Sequence, residues 1–300
     1  MSPEQRVIDL VQKACWAGPL ANSVFCPPGR INDMSEDDLN SYVRDMFKTN
    51  CCTVASVGVP FEEVLNFSEK IQFRRERPEE RCEIYSCPRA GFEYYDLGAN
   101  SDTWIAVAVP GCGTCNISGL LKHAIIAAAC GTGNMQTGQH YMDRTPQPPI
   151  GMMAGDDIFT EYKAFNISYR ETGVFGILAK TRAITAGTVA MAAAEFLANV
   201  GDLDFRQIEI GKRRLKLSLA LHDEDCVRIS EGLALQLASD VQIDSAKNSI
   251  NMVDLMCLDE IACAAKSLSS KRQQMAVAVV GDVGRVPHDY ELVSISQENH

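Results

Sequence analysis

No stretch of this 300-residue chain is apolar for long enough to cross a bilayer: residues 125–130 and 275–280, the longest candidates, fall far short of the roughly 20 a spanning helix needs. The expectation is a soluble or membrane-peripheral chain. Basic residues are in the minority, 28 Lys and Arg against 39 Asp and Glu for a net charge of −11, and outside residues 74–81 and 212–216 they are scattered. Without an extended cationic face to neutralise phosphates, nucleic acid is excluded as a principal partner. The 12 cysteines are too dilute for a disulfide scaffold in a chain that is 46% hydrophobic, so they read as reduced, small core residues. Cys112-Gly113-Thr114-Cys115 has redox or zinc spacing, but no second Cys or His pair stands nearby at ligand spacing, which favours an ordinary loop. A targeting peptide is not visible either, because Glu4 and Asp9 interrupt both the apolar and the acid-poor types.

What is present is an alternation of helical stripes and β-rich runs. Ser2-Pro3-Glu4-Gln5 is a capping box with Pro at the first helical position, and Val7, Leu10, Val11, Ala14 and Cys15 follow on one stripe. After a Pro/Gly turn at residues 26–29, Ser35 caps a second helix with Leu39, Tyr42, Val43, Met46 and Phe47 on one face. Residues 53–59 then read as a buried strand ended by Pro60, and Phe61, Val64, Leu65 and Ile71 mark another helix. The charged run at residues 74–81 places a linker at 76–95, between a first domain at 1–75 and a second at 96–300.

In the second domain, residues 104–109 read as a strand, and Asn116 caps a helix with Ile117, Leu120, Leu121, Ala124 and Ile125 inward. His123, beside Lys122, is placed on the outer side of that helix, facing solvent. Residues 162–169 and 174–179 are aromatic and β-branched, and Arg170-Glu171-Thr172-Gly173 between them is a polar turn, so they form a hairpin. Helical stripes follow at Val189, Ala192, Ala193, Phe196, Leu197 and Val200, at Phe205, Ile208, Leu215 and Leu219, and at Ile229, Leu233 and Leu237. His222-Asp223-Glu224-Asp225 at the end of one of these reads as solvated charge rather than a cation site.

The ending repeats the beginning. Met256-Cys257-Leu258-Asp259-Glu260-Ile261 opens a helix with Ile261, Ala265 and Leu268 inward, and a strand at residues 275–280 is closed by Gly281. Met34-Ser35-Glu36-Asp37-Asp38-Leu39, its helix, and residues 53–57 closed by Gly58 follow the same plan, one residue out of register in the loop. Only about 33 residues precede the first copy and about 160 of its own domain the second, so the first domain reads as incomplete.

Two segments carry a family resemblance: Pro19-Leu-Ala-Asn-Ser-Val-Phe-Cys26 with Arg30-Ile31, and Ala164 to Gly176. They resemble, respectively, the segment after the long central helices of the N-terminal domain and the central hairpin of the C-terminal domain in the pitrilysin/insulinase superfamily. Within it the likeness is to the mitochondrial branch of processing-peptidase and respiratory core subunits. The resemblance runs collinearly over nearly the whole chain, along the last two-thirds or so of a family subunit.

The resemblance implies an α+β fold of two related domains, each an antiparallel-rich sheet covered by helices, the first of them incomplete. Active members carry His-x-x-Glu-His on a helix that would precede residue 1, where two His bind zinc and the Glu activates water. Here His123, His140, His222, His288 and His300 are the only histidines, and no two are four apart. The implied chain is therefore a non-catalytic homologue with no cofactor and no metal. It would be a structural core subunit of respiratory complex III on the matrix side of the mitochondrial inner membrane, reaching the membrane through partners: a core protein 1 homologue and other complex III subunits. Its alternative is a presequence-binding α subunit of the processing peptidase, whose Gly-rich substrate loop corresponds here to Gly131, Gly133 and Gly138. Glycine's conformational freedom suits such a peptide-contacting loop, although three glycines make it sparser than in the α subunits. A nucleotide loop is excluded at the same place, since it follows a helix and lacks the P-loop Lys.

Overall fold

Alternation along three strands decides the architecture of the larger part of the chain. The structure is a computed structural model that describes residues 1–71, 86–133, 149–154, 159–239, 241 and 244–287. In chain order its elements are α1 (Pro3–Cys15), β1 (Trp16–Ala17), α2 (Glu36–Met46), α3 (Phe61–Lys70), β2 (Cys87–Pro88), β3 (Phe92–Asp96), β4 (Thr103–Pro110), α4 (Ile117–Cys130) and β5 (Thr132–Gly133). They continue as α5 (Pro149–Ala154), β6 (Glu161–Ser168), β7 (Gly173–Thr181), α6 (Ala186–Ala198), α7 (Phe205–His222), α8 (Cys226–Ala238), α9 (Ala246–Leu255), α10 (Leu258–Ser270) and β8 (Ala276–Gly281). The fold is α+β with an antiparallel-rich sheet, as the sequence leads one to expect.

Contacts group the chain into two units, one of Met1–Ser23, Tyr85–Leu217 and Asn251–His300, the other of Val24–Ile84 and Ser218–Ile250. The first unit is built on a six-stranded sheet in the order β3-β8-β4-β7-β6-β5, antiparallel except for the β3–β8 pair. Successive side chains on a strand point to opposite faces, so each of β4, β7 and β8 contributes to two cores. Ile105, Val107 and Val109 with Phe175, Ile177, Ala179, Val277 and Val279 face a layer that includes α4, α6 and α10. Ala106, Ala108, Ala276 and Ala278 with Val174, Leu178 and Val280 face α1.

The small residues on that second face explain why α1 lies on it. Four alanines let a helix approach closely, and Val7, Val11, Ala14 and Cys15 fill the space, all fully buried. The Ser2 hydroxyl accepts from Gln5 N and the Gln5 side chain accepts from Ser2 N, each at 3.2 Å, so the start of α1 is fixed by the expected capping box. Residues 1–23 are thus packed with the sheet, and the edge strand β3 begins inside the stretch whose charge suggests a linker.

The hairpin forms as its sequence predicts, with Ser168 opposite Gly173 and Tyr169 N donating to Thr172 O at 2.7 Å. Its turn also supports the loop after β4: Thr114 N donates to Tyr169 O at 2.7 Å and Cys115 N to Arg170 O at 3.0 Å. Gly113 permits this approach, because a Cβ there would lie 2.3 Å from the Glu171 carbonyl carbon.

The second unit departs from expectation. Ser35 and Asp38 form a capping box and α2 begins where predicted, but α2, α3 and α8 each bury no residue. Residues 53–59 form no strand, and Val54 and Val59 are exposed. A strand persists only where its N–H and C=O groups find a ladder, and among the described residues no other strand lies beside this segment.

Candidate functional site

The side chains that the sequence offers for chemistry are placed in the first unit as packing groups. Asn116 Oδ1 accepts from Gly119 N at 2.9 Å, which starts α4 at Ile117 as predicted. That start carries His123 inward: it is 8% exposed, against the expectation of a solvent-facing side chain. The cause is that α4 is apolar on nearly every side and is covered by α10 as well as by the sheet; Lys122, its neighbour, pairs with Glu260 of α10 at 2.9 Å. The His123 ring lies 6.0 Å from that of Phe175, and Nδ1 has no hydrogen-bond partner among the described residues. Burial first, and then the Lys271 charge, push its pKa down to about 4, so it is neutral at pH 7.

Lys271, just beyond α10, donates from Nζ to the Pro110 carbonyl at 2.9 Å. Burial lowers its pKa from the ordinary lysine value, and Cys112 partly opposes the shift. The Cys112 thiol is pushed up by burial and by Cys115, with Lys271 and the Gly113 backbone opposing. A thiol held above its ordinary value is a poor nucleophile. Cys112 and Cys115 therefore sit in a structural loop braced by the hairpin turn.

Two of the three loop glycines, Gly131 and Gly133, are among the described residues. Gly131 ends α4 with φ 88° and donates to Ala127 O at 3.2 Å, an unstrained helix stop. Gly133 lies in β5 opposite Tyr162, and Gly138 lies outside the described residues, as do residues 76–85 of the 76–95 stretch. Among the described residues no group of three or more His, Cys, Asp or Glu is placed to hold a metal ion, the His222–Asp225 stretch included. The basic cluster at 212–216 is used internally. Lys212 Nζ donates to Met256 O at 2.9 Å, Arg214 to Ala128 O at 3.1 Å, and Lys216 pairs with Asp254 at 2.5 Å. The lysine and arginine charges thus meet the carbonyl ends of α9 and α4, where the helix dipole favours them.

What remains unabsorbed is a surface. On α2, Leu39, Tyr42, Val43 and Met46 stand at helical spacing and are each about half exposed or more, and Phe61, Leu65 and Phe67 of α3 are exposed too. Scattered apolar residues on a surface are normal, but stripes on consecutive helices mark an interaction face. Such a face is suited to packing against another apolar surface. Sequence periodicity found all of these but Phe67 and placed them on helices without saying what covers them, because core and interface share one pattern.

Comparison with known proteins agrees with the fold. No protein-family model matches the sequence. The human protein named cytochrome b-c1 complex subunit 2, mitochondrial, is 24% identical over 302 residues, covering 97% of this chain and 63% of its own length. The potato protein named mitochondrial-processing peptidase subunit alpha is 23% identical over 301 residues, covering 98% of this chain and 58% of its own. The chain thus spans less than two-thirds of the length of these relatives. Among solved structures, a chain of complex III2 from Candida albicans, with Inz-5 bound, superposes with a TM-score of 0.82 at 12% identity, over 98% of this chain and 70% of that one. The fold is the one that chain has.

Proposed function

We propose that this chain is a non-catalytic structural subunit of mitochondrial ubiquinol–cytochrome c reductase, respiratory complex III, similar to core protein 2. In this reading it lies on the matrix side of the inner membrane, pairs with a core protein 1 homologue and supports the redox subunits. The carrying observation is the joint likeness: 97% of the chain aligns with a human b-c1 complex subunit 2, and 98% superposes on a chain from a complex III structure. A scaffold role is supported by His123, which is buried and neutral at pH 7, and by Cys112, whose thiol burial pushes above its ordinary value. Residues 96–300 would be one peptidase-like domain and 1–75 the last part of another, joined at 76–95.

Depletion of the protein in cells tests the reading. Assembled complex III and its ubiquinol–cytochrome c reductase activity should fall together while presequence cleavage continues. Normal complex III with impaired cleavage would instead favour the second reading, a presequence-binding processing-peptidase α subunit. Relatives of that name, from potato and from Dictyostelium discoideum at 20% identity, are what support it. Cross-linking of a presequence peptide to residues 131–151, which include Gly131, Gly133 and Gly138, is the outcome that reading requires.

A further inference from the structure

Cys112 and Cys115 stand at redox spacing on the loop that joins β4 to α4, and the scaffold role makes no use of them. The loop folds the pair together. Residues 113–116 close a tight turn, with Asn116 N donating to Gly113 O at 3.2 Å. The Cys112 thiol lies back across that turn, its Sγ 3.8 Å from the carbonyl oxygen of Asn116, the residue next to Cys115. Room for the sulfur comes from Gly119 in the first turn of α4, where a Cβ would lie 2.6 Å from Sγ and 2.7 Å from the capping Asn116 Nδ2. Glycine is a poor helix former, and here it makes way for both the thiol and the cap. The turn is also held from outside, by Cys115 N donating to Arg170 O at 3.0 Å and by Lys271 Nζ on the Pro110 carbonyl at 2.9 Å. The two thiols differ in access, Cys115 being exposed and Cys112 half-buried. They are within electrostatic reach of each other, since burial first and then the Cys115 charge push the Cys112 thiol up, while the Lys271 ammonium opposes.

We propose that Cys112 and Cys115 form a reversible thiol–disulfide exchange site whose oxidant is a low-molecular-weight disulfide of the glutathione type. Cys115, the exposed thiol, attacks first. Its thiolate bonds to one sulfur of the small disulfide, whose S–S bond breaks and releases one small thiolate. Cys112 then gives its proton to solvent and attacks Cys115 Sγ, so that the Cys112–Cys115 bond forms and the second small thiolate leaves. The two cysteines lose two electrons and two protons, and the small disulfide takes up both to become two thiols. The raised Cys112 thiol is a poor nucleophile toward a free molecule, but inside the mixed disulfide its attack is intramolecular and the Lys271 charge favours its thiolate. A loop that braces a hairpin thus also carries an exchangeable pair. The inference is independent of the proposed respiratory role.

Peptide mapping tests it, because trypsin cleavage after Arg89 and Lys122 releases residues 90–122, which contain these two cysteines and no other. The folded 300-residue protein is equilibrated with mixtures of reduced and oxidised glutathione, alkylated in denaturant, digested and measured by mass spectrometry. As the oxidised share rises, this peptide should lose two hydrogens and carry neither alkyl group nor glutathione, and both alkyl groups should return after reduction. In Cys112→Ser, Cys115 should instead accumulate a glutathione adduct, about tenfold or more above the native protein, whereas in Cys115→Ser, Cys112 should stay reduced. Should either variant lose its helical circular dichroism, the native map decides alone. A native peptide alkylated at both cysteines in every mixture would overturn the proposal. So would a lasting glutathione adduct at Cys115 while Cys112 is present, or Cys112 joined to any other cysteine.

Discussion

Val43 and Ala265 hold the same position in the two copies of one repeated pattern, yet Val43 is half exposed and Ala265 is fully buried. The difference lies in what surrounds each helix, and it makes the two copies respond differently to the same kind of substitution.

Leu268→Ala removes a buried side chain from the core beneath the sheet and should cost about 2–5 kcal/mol. Met46→Ala at the corresponding exposed position should change stability of the isolated protein by no more than about 0.5 kcal/mol. Urea unfolding followed by tryptophan fluorescence checks the first, because Trp16 and Trp104 belong to the sheet unit with Leu268, and far-ultraviolet circular dichroism, which reports the helices of both units, checks the second. Equal costs would mean that α2 is covered in the isolated chain.

His123 supplies a pH dependence. Its folded pKa of about 4 lies below the ordinary value of 6.5, so the unfolded chain binds the extra proton between these pH values. The stability from the neutral, buried ring is complete above pH 6.5, declines as pH falls and is gone near pH 4, a span on the order of 3 kcal/mol. Unfolding midpoints from pH 7.5 to 4.5 should fall more steeply for the native protein than for His123→Leu. Identical slopes would place the histidine in solvent.

Gly113→Val puts a side chain where a Cβ alone is 2.3 Å from the Glu171 carbonyl carbon. The loop must leave the hairpin turn, at about 1–3 kcal/mol. Amides of Thr114 and Cys115, which donate to Tyr169 and Arg170, should then exchange faster, and unchanged exchange at both would show that the loop is not held by the turn.

Protection should be uneven in the native chain. Amides of β4, β7 and β8 are buried on both faces and should open only with global unfolding. Those of α2 and α3, which bury no residue, should exchange far sooner, and uniform protection by mass spectrometry would contradict the exposed faces.

Local signals were legible in the sequence wherever local chemistry decides. Ser2, Ser35 and Asn116 start their helices, the 170–173 turn makes its hairpin, and Ile261, Ala265 and Leu268 face inward. Residues 53–59 misled because a β-rich run becomes a strand only when a neighbour pairs with it, and the neighbour is not encoded in the run. His123 misled because the side of α4 it occupies lies against the sheet, where its ring is 6.0 Å from that of Phe175. The β3 strand was hidden by Glu93 and Asp96, tolerable at a sheet edge where one side meets water. The apolar face of α2 was visible as a pattern, but its lack of cover was not.

The most direct test of the proposed role is a mass-spectrometric profile of native mitochondrial complexes separated by size. The account predicts that this protein rises and falls with the cytochrome b-bearing complex III fractions, in constant ratio to the other subunits. A profile that follows the processing peptidase instead, or that never overlaps complex III, would contradict it.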